Sequence, residues 1–306
     1  MEFRKFPSLE NTYKKDIIER VKTNPLFDSA HWVITEKLDG SNFSFHCNGE
    51  EIKVASRNQF TDGSFHGCQE VIGRYSDDVL DLFFQLQRWM QCENIIVYGE
   101  LYGNGIQKRV SYGDKDFRAF DIYVDGEPLD FYTVQSLVAG CENLQLVPLL
   151  GYAGTLDEAL EYNETFRSFL TPNTHDGDNW AEGVVILPSE PMFFGNGSRV
   201  YLKQKSEKFS EKSGKKKVSQ TARLSPEQQE QLNAVMEYVN KNRALSAASK
   251  IGTITNRDFG KLLGMSVQDA IEDYVGDGNE KPGSAVRKQV MKESASEVRS
   301  VFLELI

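Results

Sequence analysis

Long apolar runs are missing from this 306-residue chain, and no stretch approaches the roughly 20 residues that a membrane-spanning helix requires. The opening residues, MEFRKFPSLE, also lack the apolar core of a secretory signal, so a cytoplasmic protein with no membrane attachment is expected. Cysteine is scarce. The four residues Cys47, Cys68, Cys92 and Cys141 show no CxxC spacing, which argues against a disulfide framework or a thiolate zinc site and fits a reducing compartment. Basic charge is in deficit too: the net charge of −10 opposes a broad nucleic-acid footprint. The deficit is uneven, however. Between Lys203 and Lys217 seven lysines stand against only Glu207 and Glu211, a local net of +5, although such a run alone reads as a solvated loop. What is present in quantity, 40% hydrophobic and 11% aromatic residues, supports ordinary globular cores over a length suited to two domains.

Residues 31–35 (HWVIT), 41–47 (SNFSFHC) and 51–57 (EIKVASR) are rich in β-branched and aromatic residues and predict consecutive strands. Apolar residues at helical spacing predict a helix over 71–91, with strands again at 94–103 and 117–126. Helices are expected near 131–144 and 156–170, around a strand at 147–152, followed by buried strands at 181–188 and 199–205. This succession predicts an α+β domain with largely antiparallel sheets. After the lysine-rich stretch, β-character ends. Ser225-Pro226-Glu227 is a helix start, with a capping serine and proline at the first helical position. The remainder, punctuated by Gly252, Gly264, Gly276, Gly278 and Gly283, predicts a small all-helical domain. The expected domains are 1–221 and 222–306.

EKLDGSNF (36–43) falls where one strand ends and the next begins, which places Lys37 in a tight turn at a sheet edge. Lys-x-Asp-Gly alone is a weak signal, because Asp-Gly serves many hairpins. Its weight comes from residues further along the chain. A lysine acts as a nucleophile only when neutral, which takes neighbouring cations or desolvation. Lys203 and Lys205, one residue apart on a strand, project to one face and can supply that field or hold a triphosphate. Glu100 and Glu182, at strand ends, can hold magnesium or ribose hydroxyls, and Phe120 can stack on a purine. Each has a plainer reading: strand-end glutamates are solvated, a lone phenylalanine is core, and edge lysines discourage pairing. The plain readings leave the ordered co-occurrence unexplained.

That order resembles the covalent nucleotidyltransferase superfamily of ATP- and NAD-dependent ligases and mRNA capping enzymes. EKLDGSNF resembles its nucleophile box, with Lys37 attacking, and VASRN its arginine box, with Arg57 at the ribose. VYGELYG resembles the third box, placing Glu100 near the ribose, and FRAFDIY the aromatic box, placing Phe120 against adenine. AEGVVI resembles the fourth box, giving Glu182 as nucleotide and metal contact, and VYLKQKS the fifth, giving Lys203 and Lys205. Lys37, Glu182, Lys203 and Lys205 are the catalytic set this implies. Glu36 and Asn42 join the nucleotide contacts, with Asn42 also a candidate to orient a nucleic-acid phosphate and Ser41 to lie near a reacting 3′ end.

Within the superfamily the chain resembles the second RNA ligase family, known from bacteriophages and trypanosome RNA editing. KFPSLENTY, GIQKRVSYGDKDFRAFDIY, KFSEKSGKKK and SKIGTITNRDFGKLLGMSVQDAIEDY carry the resemblance over nearly the whole chain. It departs from the family at Asp39, where phage members often have histidine, and at Leu187, where the fourth box often continues to a basic residue. The resemblance implies an adenylyltransferase domain followed by a helical domain that engages RNA. It implies ATP as AMP donor, magnesium with manganese as a substitute, and a monomer sealing 3′-OH/5′-phosphate nicks in duplex RNA through lysyl-AMP and adenylylated RNA. A DNA ligase or capping enzyme is the alternative on the same chemistry, but those place a β-barrel after the fifth box, and residues 225–306 show no strands to build one. A catalytically silent RNA-binding protein is the other alternative, and it has no reason to keep Lys37, Glu100, Glu182, Lys203 and Lys205 together.

Overall fold

A computed structural model describes residues 1–27, 29–171, 179–210 and 224–306. Residues 1–208 carry strands β1 (Glu10–Asn11), β2 (Trp32–Lys37), β3 (Ser41–Cys47), β4 (Ile52–Ser56), β5 (Phe60–Thr61) and β6 (Ile95–Tyr102). β7 (Asp116–Val124), β8 (Glu127–Pro128), β9 (Leu149–Ala153), β10 (Gly183–Pro188) and β11 (Leu202–Lys205) complete the set. Helices α1 (Lys15–Lys22), α2 (Gln69–Met90), α3 (Phe131–Ala139) and α4 (Leu156–Leu160) intervene. The strands form a five-stranded sheet of order β1-β11-β10-β2-β9 and a six-stranded sheet of order β5-β4-β3-β6-β7-β8. Neighbours are antiparallel except β1 beside β11, so the architecture is α+β, as the sequence pattern predicts.

Strand alternation sorts side chains between faces. Phe43, Phe45, Val97, Leu101, Phe117 and Ile122 pack with α2, whose Val71, Tyr75, Val79, Leu82, Phe83 and Leu86 form one apolar stripe. Trp32, Ile34, Val184, Ile186 and Leu202 of the smaller sheet pack with Ile17 and Val21 of α1 and Leu156 of α4. The remaining faces meet through Phe6, Val33, Tyr98, Tyr123, Leu187 and Tyr201. Leu187, one of the two departures from the resembled pattern, is buried in that layer. In the same layer Arg199 Nη1 pairs with Asp121 Oδ2, and the Tyr201 hydroxyl donates to that oxygen at 2.7 Å. Burial pushes the Asp121 carboxyl up to about 6, against the pull of Arg199.

The helix expected over 156–170 ends at Leu160. Asn163 Oδ1 accepts the Thr165 N–H at 2.9 Å, which turns the chain. Beyond it the backbone is claimed by another segment: Ala181 N–H donates to Phe166 O at 2.8 Å and Ser168 N–H to Asn179 O at 3.0 Å. The helix near 131–144 is also shorter, closing at Ala139.

Residues 209–306 form a second compact unit, built from α5 (Pro226–Met236), α6 (Lys241–Ile251), α7 (Phe259–Gly276) and α8 (Ser284–Leu305). No strand occurs among its described residues. Ser225 caps α5 as expected: its hydroxyl accepts the Gln228 N–H at 3.2 Å, and the Gln228 side chain accepts the Ser225 N–H at 3.0 Å. One core gathers Leu232, Val235, Val267, Ile271 and Val290, and another Ala244, Leu262, Val298 and Val301. Buried Arg243 pairs with Asp273 at 2.8 Å. Lys212, Lys215, Lys216 and Lys217 of the basic run, and the expected boundary at 221/222, lie outside the described residues. No helix among the described residues is long and apolar enough to cross a membrane.

Candidate active site

β2 and β3 belong to different sheets, so Leu38-Asp39-Gly40 carries the chain from one sheet to the other, with Lys37 at the end of β2. Gly40 is pressed against β6: a Cβ there would stand 2.3 Å from the Leu101 carbonyl oxygen. β10 runs between β2 and β11, and its Gly183 lies opposite Lys37 on one side and Lys205 on the other. Directly opposed residues share a face, so both lysines project to the side that meets the second sheet. Lys203, two residues along β11, shares that face. Gly183 has a φ of +150°, and a Cβ would come within 2.0 Å of the Gln204 carbonyl oxygen, so no side chain fits between the lysines.

Glu182, immediately before Gly183, joins the two lysines. Its Oε2 accepts from Lys37 Nζ at 2.6 Å and its Oε1 lies 2.8 Å from Lys205 Nζ. Burial alone would raise the Glu182 pKa, but Lys205, Lys37 and Arg109 overcome it and hold the carboxyl down to about 2. A carboxylate that acidic orients the lysine and is a poor proton acceptor.

The facing sheet supplies the other half. Glu100 on β6 lies opposite Asn42 on β3, next to the buried Ser41. Burial pushes the Glu100 carboxyl up to about 8, with Lys37 and Arg57 opposing and Glu182 and Asp39 reinforcing the rise. Arg57, just past β4, donates from Nη2 to Ser8 Oγ at 3.1 Å. Phe120 on β7 is partly buried, its ring edge-on to Phe6 with centroids 4.8 Å apart. Lys37, Glu182, Lys205, Glu100 and Arg57 thus form one charged cluster, while Lys203 and Phe120 sit on strands that bound it.

A sequence model of the RNA ligase family matches residues 30–205, and a model of the T4 RNA ligase 2 C-terminal region matches residues 222–300. The chain belongs to the RNA ligase family. Three variant forms of Naegleria gruberi RNA ligase with ATP and manganese are similar in structure, with TM-scores of 0.50 and identities of 20%, 22% and 21%. The alignments cover 68% of this chain and 58%, 58% and 57% of those chains, so it spans less than two thirds of the Naegleria ligase. At that identity the likeness is one of fold.

Two features of this RNA ligase family member stand out from its motif boxes. Glu36, on the opposite side of β2 from Lys37, is 1% exposed. Its Oε2 accepts the Phe169 N–H at 3.0 Å, whereas its Oε1 has no hydrogen-bond partner among the described residues. Burial raises its pKa, opposed by hydrogen bonds from Ser168 and Phe169. The second feature, Arg109 with Tyr112, carries no motif role. Arg109 donates to Asp39 from Nε at 3.1 Å and from Nη2, and the Asp39 N–H donates to the Tyr112 hydroxyl at 3.0 Å. The only sequence signal was the family-like string GIQKRVSYG, which names no function.

Proposed function

We propose that the protein is an ATP-dependent RNA ligase that forms lysyl-AMP at Lys37, transfers AMP to a 5′-phosphate and seals nicks in duplex RNA. The observation that carries this reading is the Lys37–Glu182–Lys205 chain, set opposite Glu100 and Asn42 on the facing sheet. In the first step the Lys37 Nζ–phosphorus bond forms as the bond from the α-phosphorus to pyrophosphate breaks. The proton that Lys37 sheds leaves to solvent, which reaches its 19% exposed side chain. Lys205 and Lys203 stand to neutralise charge on the phosphates, while Glu100 and Arg57 address the ribose and Phe120 the base. In the second step a 5′-phosphate oxygen attacks the same phosphorus and Lys37 leaves. In the third a 3′-hydroxyl attacks the activated end and AMP departs, with Asn42 and Ser41 assigned to the RNA end.

Among the described residues no three His, Cys, Asp or Glu side chains are grouped to cage a metal ion. Magnesium keeps several waters and takes one or two carboxylates beside substrate phosphates, and Glu182, bonded to Lys37, fits that donor set. Glu182 would hold it, and its charge would offset that on the departing pyrophosphate. The helical unit, matching the C-terminal model, is assigned to engaging RNA, and the working form to a monomer divided into domains 1–221 and 222–306.

Glu36 supports ATP as the nucleotide. Its Oε1 has no donor among the described residues, and the exocyclic amine of adenine is a donor where guanine presents a carbonyl. Glu36→Gln, whose amide can instead donate, is expected to shift the ATP-over-GTP preference of protein labelling by about tenfold or more. An unchanged preference would remove Glu36 from reading the base.

The reading as a whole is tested with radiolabelled ATP, magnesium and a nicked RNA duplex bearing 5′-phosphate and 3′-hydroxyl. Protein label discharged as the nick closes is expected. Labelling that discharges onto DNA nicks or diphosphate RNA ends instead would replace the acceptor, and no labelling would sink the ligase reading.

A further inference from the structure

The turn after the nucleophile is held from both sides. Gly40 is packed on β6, and Asp39 is gripped by the loop of residues 103–113. That loop is itself anchored: Asn104 N–H donates to Gly113 O at 2.8 Å, Ser111 N–H to Asn179 Oδ1 at 3.0 Å, and Ile106 and Val110 are buried. From it Arg109 takes both oxygens of the Asp39 carboxylate, with a side chain only 15% exposed, while Tyr112 takes the Asp39 backbone N–H. One loop therefore fixes both the charge and the backbone of the residue two positions past Lys37.

The charges around Asp39 show why this matters. Lys37 from β2, Glu182 ahead of β10 and Glu100 from β6 all act on it, together with Arg109 and Tyr112. Three carboxylates thus crowd one lysine, and Glu182 is the one bonded to it. An uncompensated Asp39 would be a second anion competing for the Lys37 ammonium and repelling the incoming phosphates.

We propose that Arg109 is a positioning residue for lysyl-AMP formation: by holding Asp39 it keeps that carboxylate off Lys37 and sets the turn that aims the amine. The proposal rests on the ligase reading of Lys37 and acts through Asp39, without contact to the reacting atoms. The test compares wild type, R109A, R109K and the double variant R109A/D39N, measuring the rate of lysyl-AMP formation at saturating ATP and the ATP dissociation constant by calorimetry. R109A is expected to slow adenylylation about 100-fold, the scale of a misplaced reacting group. ATP affinity should change by less than about threefold, since the loss falls on the chemical step. R109K, which keeps the charge but lacks the fork, should fall between. R109A/D39N should regain about tenfold over R109A, because removing both charges strands neither.

A double variant no faster than R109A would overturn the proposal. So would a loss confined to ATP affinity, which would make Arg109 a direct phosphate contact. Should circular dichroism show R109A unfolded, R109K decides: an adenylylation rate equal to wild type overturns the proposal, and a reduced rate at unchanged affinity upholds it. The two readings fail separately. Wild-type protein that takes no label refutes the ligase reading, whereas labelled wild type beside a fully active R109A refutes only the role of Arg109.

Discussion

Lys37→Ala is expected to remove AMP labelling of the protein altogether while leaving its melting temperature and circular-dichroism spectrum in place. Deleting a covalent nucleophile costs on the order of 10⁶ in rate elsewhere, which puts residual labelling below detection. The fold is spared because the lysine makes few demands on it. Its side chain ends β2 at 19% exposure, and removing it leaves Glu182 paired with Lys205 at 2.8 Å, so no buried carboxylate is stranded. A stability change within about 1 kcal/mol is expected on that account. Persistent labelling of a folded Lys37→Ala protein would mean that another residue carries the AMP.

Arg199→Met is the opposite case, with little to do with chemistry and much with the fold. Arg199 and Asp121 are 4% and 2% exposed, so the substitution strands a buried carboxyl between the sheets. Breaking such a pair from one side costs about 3–5 kcal/mol. The cost depends on pH. The folded-state pKa of Asp121, about 6, lies above its usual value, so its contribution is fully present below about pH 4 and is lost as pH rises through 6. Removing Arg199 removes the main opposing attraction and pushes that pKa further up, so the deficit of the variant should be larger at pH 8 than at pH 5. Chemical denaturation at the two pH values measures it. An equal deficit at both would show that Asp121 is not the group left stranded.

Much of the fold is legible in local pattern. The strand at 41–47 and the helix over 71–91 correspond to β3 (Ser41–Cys47) and α2 (Gln69–Met90), because alternation and a helical stripe are local properties of the chain. The expected helix over 156–170 overreached because helical spacing continues past Asn163, while the pairing of residues 166–168 with 179–181 is settled by a distant segment. The site divides along the same line. Lys37, Glu100, Glu182 and Lys205 are legible as an ordered set, and strand parity assigns Lys203 and Lys205 to one face, whereas the register that adds Lys37 to it comes only from the pairing of β10. Arg109 is not, since its partner is 70 residues away and its own surroundings read as an ordinary polar loop. Nor is the condition of Glu36: parity sets it on the side away from Lys37, but only the structure shows one carboxylate oxygen bonded to the Phe169 N–H and the other without a partner among the described residues.

Phe6 precedes β1 and belongs to neither sheet, yet it is 2% exposed, with ring centroids 5.0 Å from Tyr98, 5.4 Å from Tyr201 and 4.8 Å from Phe120. It acts as a shim. Close-packed interiors yield little, so the thickness of this ring stack sets the distance between the sheet that bears Lys37 and the one that bears Glu100. The aperture offered to a nucleotide is thereby gauged by a side chain remote from any phosphate, and trimming or thickening that wedge would retune the chemistry without altering a single charged group.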